Sequence, residues 1–183
     1  MITIFSLWMP ILVAAVFVFI ASSVVWMVLP HHKSDFAKTP DEDALRTALS
    51  GIAPGAYVVP HVENPAQMKE PENVAKYVDG PVGFINIVPS GSPTMGKQLT
   101  LTFVYYIVVG IFVSYLAGLS LSAGADYMVV FRFTSATAFV AYALSTPAAA
   151  IWFGMPWSQV AKHTVDALLY ALLTGGVFGW LWP

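Results

Sequence analysis

The sequence predicts an all-α membrane protein: four transmembrane helices, with a small α+β extramembrane segment between helices 1 and 2. Three observations carry this expectation. Charged residues make up 10% of the 183-residue chain, against about 25% in an ordinary soluble domain. Hydrophobic residues make up 57%, more apolar surface than a soluble chain of this size could hide. The charges, 8 basic and 10 acidic, also cluster and leave long runs bare. This composition excludes a soluble enzyme, a disordered tail and a nucleic-acid binder with a strong basic footprint. The absence of cysteine removes disulfides, thiolate metal sites and thiol nucleophiles.

Residues 1–29 are assigned to transmembrane helix 1. Ile2 to Leu29 carries no charge, and a helix of that length reaches about 42 Å, beyond a hydrocarbon core of about 30 Å. Trp8 and Trp26 are spaced to anchor opposite interfaces. The run lacks the basic start and short apolar stretch of a signal peptide. Residues 99–183 hold helices 2–4. Leu99–Ala117 suffices for the second span. The third runs from Tyr127 to about Ser145, with Arg132 as its only charge, and Thr146-Pro147 either extends or breaks it. The fourth covers Val165–Trp182, after a loop over Trp152–Thr164.

Residues 30–98 form the polar segment, too long for a simple loop. A short helix is expected around residues 41–46, with Thr39 as N-cap and Pro40 in the first helical position. Gly51 ends it. Ala56–Val62 reads as a strand that Pro60 confines to an edge. Pro71–Val78 reads as a second helix. Val82–Val88 reads as a better strand, bracketed by Gly80-Pro81 and Pro89.

Four spans put both termini on one side and the polar segment on the other. Seven of the eight basic residues fall on the second side: Lys33, Lys38, Arg46, Lys69, Lys76, Lys97 and Lys162. The positive-inside bias therefore puts residues 30–98 in the cytoplasm and both termini outside. Sixteen of the 18 charges lie in that segment or near its face, leaving Asp126 and Arg132 for the other.

Few residues suggest chemistry. Gly91-Ser92-Pro93-Thr94-Met95-Gly96-Lys97-Gln98 has the G-x-x-x-x-G-K core of a phosphate loop. Gln98 replaces the magnesium-binding hydroxyl, so a turn with Lys97 at the lipid headgroups explains it better. The spacing of His31, His32, His61 and His163 fits no established ligand pattern, so no metal site, cofactor or catalytic residue is expected. Arg132, inside helix 3, reads as a snorkelling anchor that Asp126 could meet. Asp166 reads as half of a capping pair with Lys162. Small residues line helix faces: Gly110, Ser114 and Gly118 in helix 2, Thr134, Ala138, Ala141 and Ser145 in helix 3, and Gly175 and Gly179 in helix 4. Such faces let helices approach closely in lipid, within the chain or against another subunit. The candidate interface and lipid contacts are thus His31, His32, Lys33, Lys97, Arg132, Gly110, Ser114, Gly118, Gly175 and Gly179.

Val-Leu-Pro-His-His-Lys-Ser-Asp (28–35), Asp-Glu-Asp-Ala-Leu (41–45), Gly80-Pro81-Val82-Gly83, Pro93-Thr94-Met95-Gly96-Lys97 and the tail from Asp166 to Pro183 resemble a family of small four-helix bacterial inner-membrane proteins. The resemblance covers nearly the whole chain. It implies a bacterial inner-membrane location and brings no activity, cofactor or site residue.

The expected function is that of a non-enzymatic accessory or scaffold subunit, with the lipid bilayer and a membrane-protein partner or homo-oligomer as its contacts and no nucleic acid. The alternatives are a small oligomeric transporter or channel, and a membrane-surface enzyme or metal site using His31, His32 or His61.

Overall fold

The computed structural model describes residues 2–183. It is mostly helical, with one two-stranded sheet. Three helical stretches are long and apolar enough to cross a membrane: Ile4–Val28, Gly96–Ser120 and Tyr127–Phe153. The first is a continuous helix, with α1 (Trp8–Ser23) flanked by a 3₁₀ turn (Ile4–Leu7) and a π turn (Val24–Val28). A 3₁₀ turn over Pro30–His32 follows.

In the polar segment, α2 covers Glu42–Ala48. Its N-cap is Asp41, not Thr39: the Asp41 carboxylate accepts the Ala44 amide at 2.9 Å. A carboxylate also complements the partial positive charge of a helix start, which a threonine hydroxyl does not. Strand β1 (Gly55–Val59) pairs antiparallel with β2 (Gly83–Ile87), joined through α3 (Pro71–Asp79). The two strands share only one sheet edge, so no parallel nucleotide-binding sheet stands behind the glycine-lysine run. Gly96 and Lys97 instead open α4 (Gly96–Ser120), with Lys97 exposed.

The third apolar stretch breaks. After α5 (Tyr127–Ala143) comes a turn, and Pro147 sits in the first turn of a new helix, α6 (Thr146–Phe153), where its missing N–H costs nothing. Gly154, at φ 70°, ends α6 in a conformation that a Cβ would penalise. The last helix, α7 (Trp157–Trp180), begins eight residues before the expected Val165. Residues 157–164 are therefore helix, not loop. Their polar side chains have partners in the turn after α1, which sequence spacing does not reveal. At 24 residues α7 has spanning length, yet it is not among the three apolar stretches; its first half carries Gln159, Lys162, His163 and Asp166.

The four long helices close a ring: α1 packs on α4 and α7, and α5 packs on the same two. Val113, Val130, Ala138 and Phe178 are fully buried at the centre. A second cluster, around Val18, Tyr106 and Tyr170, lies toward the polar segment. At the far end, Ile2 lies on Gly118, where a Cβ would meet the Ile2 carbonyl at 2.7 Å. Pro183 O there accepts the Gly124 amide at 2.6 Å, so the described chain starts and finishes at one end of the bundle. The sheet touches the bundle through Phe84, edge-on to Phe153 of α6 at 5.5 Å.

Candidate functional site

The distinctive chemistry sits at the opposite end, where the 3₁₀ turn after α1 meets the first turns of α7. Pro30 bends the chain out of the span, so His31, His32 and Asp35 turn back over the bundle. On α7, Gln159, Lys162, His163 and Asp166 recur at i, i+3, i+4 and i+7, which is one helix face. Gln159 Nε2 donates to the Asp35 carbonyl at 2.6 Å. Lys162 Nζ donates to Ser34 Oγ at 2.9 Å and to Asp35 Oδ1 at 2.5 Å.

His32 is the centre of this assembly, with its side chain 4% exposed. Its Nδ1 lies 2.6 Å from Asp35 Oδ2 and its Nε2 lies 2.7 Å from Asp166 Oδ2. Both carboxylates are nearly inaccessible, at 3% and 6% exposure. A neutral imidazole donates from one nitrogen only. Making both bonds therefore requires one proton more than a neutral ring and two carboxylates contain. Trp26 stacks flat on the His32 ring, 3.8 Å between centroids and 3° from parallel. His31, one-third exposed, points Nε2 at Asp166 Oδ1 from 3.4 Å. The Lys162 ammonium and the His32 ring, both bonded to Asp35, hold its carboxyl below the usual carboxylate range.

Beside the cluster lies a cavity of about 110 Å³ lined by Asp166, His163, Trp26 and the tyrosines 105, 106, 142 and 170. Tyr170 Oη is buried there without a protein hydrogen-bond partner. That volume holds a few waters.

Asp166 thus takes the two histidines rather than Lys162 as its partners, because α1 delivers them against α7 while Lys162 reaches across to Asp35. Asp126 does not meet Arg132. It caps α5 by accepting the Met128 amide at 2.8 Å, and Arg132 is exposed. Lys33 is exposed next to the cluster. His61 lies in the polar segment, just past β1. Most of the small residues are packed inside the chain: Thr134 and Ala138 of α5 are fully buried, whereas Ala141 is exposed and Ser145 lies past the end of α5, also exposed. A Cβ on Gly110 would press Ile11 of α1 at 3.1 Å, one on Gly175 would meet the Phe131 carbonyl of α5 at 2.9 Å, and one on Gly179 would meet the Tyr127 ring at 2.7 Å. Ser114 is fully buried.

The sequence singles out His31 and His32 but does not show Asp35 and Asp166 as their partners, nor Lys162 as the partner of Asp35. The signal the sequence carries is the polar stripe Gln159, Lys162, His163 and Asp166, the first three of which fall within the 152–164 stretch expected as a loop and are helical in the structure. Comparison with protein families, with curated proteins and with solved structures finds no match for this chain.

Proposed function

We propose that α7 crosses the bilayer with the other three helices, that both termini lie outside and that residues 30–98 face the cytoplasm of a bacterial inner membrane. On this reading the protein is a non-enzymatic accessory or scaffold subunit that presents its polar segment to a larger membrane complex. The observation that carries the reading is the packing of that segment: no residue from 36 to 95 is buried. Phe36, Val78 and Val88 are 81%, 79% and 75% exposed. A segment this long with no core of its own is stabilised when another surface covers its apolar side chains. The cluster at His32 supports the same reading, because it staples the root of the segment to α7.

Gentle extraction from native membranes, followed by native mass measurement, tests this. The expected result is a complex heavier than one chain, containing a second membrane protein. A lone monomer overturns it. A transporter or channel reading draws on the cavity beside Asp166, whose volume suits a few waters rather than a solute path.

A further inference from the structure

We propose that His31, His32 and Asp166 form a binding site for one divalent first-row transition-metal ion, with Asp35 as the carboxylate that orients His32. The inference stands apart from the subunit reading above. Each of the three residues offers one ligand atom, and these atoms lie within 4.8 Å of one another. Bonds of about 2.0–2.2 Å to nitrogen and oxygen place tetrahedral ligand atoms about 3.3–3.6 Å apart. His31 Nε2 and Asp166 Oδ1 already stand at 3.4 Å. The His32–Asp166 contact, at 2.7 Å, must open by about 0.6–0.9 Å to admit the ion. Rotation of a carboxylate that has two oxygens can supply that.

Two further observations point the same way. His31 Nε2 is buried and without a hydrogen bond. Its 3.4 Å approach to Asp166 is long beside the 2.7–2.9 Å or so of a charge-assisted bond. It is oriented toward the carboxylate without a hydrogen bond to it, which leaves that nitrogen able to ligate a metal ion. The second is the outer sphere. A metal-bound histidine donates its other ring N–H to a carboxylate, which fixes tautomer and orientation. Asp35 occupies that place on His32 Nδ1 at 2.6 Å, and Lys162 and Gln159 hold Asp35 in turn. Trp26 closes one face of the same ring. Two imidazoles and one carboxylate suit zinc or ferrous iron, whereas magnesium and calcium prefer oxygen throughout. Three protein ligands leave coordination open to water, and Asp166 also borders the tyrosine-lined cavity.

The test uses the untagged full chain in mild detergent, stripped with a chelator. It is titrated with Zn²⁺ against a chromophoric competitor, and separately with Co²⁺ read by its visible ligand-field absorption. The expected result is one equivalent per chain, bound with release of protons. Asp35→Asn should weaken zinc binding about 10–100-fold. His31→Ala and Asp166→Asn should abolish the cobalt spectrum. Because His31 is one-third exposed and makes no short bond, His31→Ala keeps the bundle folded even if Asp166→Asn does not, and circular dichroism verifies this. A folded chain with no stoichiometric binding overturns the proposal. So does a His31→Ala variant that binds as tightly as the unaltered chain.

Discussion

Two regions of this molecule hold a lysine against a carboxylate, and they behave differently. On α3, Lys76 meets Glu72 at 2.8 Å, with the side chains 51% and 82% exposed. At the end of the bundle, Lys162 meets Asp35 beside two histidines and a second carboxylate, and His32, Asp35 and Asp166 are all nearly inaccessible. The first pair competes with water and is screened by salt, so it contributes little. In the second region removing His32 strands buried carboxylates without their short bonds, which is costly. The polar segment holds most of the charge, but the consequential charges are the few that α1 and α7 trap between them.

The largest effect is expected from breaking the trapped network. His32→Ala leaves Asp166 buried without its short bond and should cost about 3–5 kcal/mol, measured by thermal unfolding in detergent. Next comes the close helix approach. Gly175→Ala drives a Cβ into Ser135 and the Phe131 carbonyl and should cost about 1–3 kcal/mol. Its neighbour tests the geometry: at Gly176 a Cβ meets only Tyr127 Oη, at 3.9 Å. Gly176→Ala should therefore be neutral or stabilise by up to about 1 kcal/mol through helix propensity.

Smaller still is the acid response. Asp35 titrates below its usual range when folded, so its stabilisation is complete above the ordinary carboxylate pKa and disappears as pH falls through the lower folded value. Melting temperature should drop below about pH 4, with a shallower drop in Asp35→Asn. A wild-type-like drop in that variant would remove Asp35 from the account. The smallest effect is expected on α3, where Lys76→Ala should leave the unfolding midpoint unchanged. A clear shift there would mean that the segment is covered by something that buries this pair.

Much of the fold was legible in the sequence. The uncharged runs marked helix 1 and helix 2 because lipid demands both apolar side chains and internally satisfied backbone. Pro71 marked the start of α3, and Gly80-Pro81 and Pro89 bracketed β2, since their conformational limits act locally. The α5–α6 break at Pro147 was left open, because proline permits either a kink or a new start, and packing decides between them. The start of α7 was misplaced for a different reason. Gln159 and Lys162 look like loop residues in isolation, and their partners Ser34 and Asp35 lie more than 120 residues away along the chain.

Composition and the uncharged runs by themselves determined that this chain combines long apolar helices with one polar segment, because those properties depend on each side chain's own affinity for water or hydrocarbon; they point to four spans, where three helical stretches are long and apolar enough to cross a membrane. Only the tertiary structure decided that the glycine faces serve packing within the chain, and that His32 sits between Asp35 and Asp166. Those outcomes depend on which helices are neighbours and at what depth they meet. That is a property of the packed ring of helices rather than of any one segment.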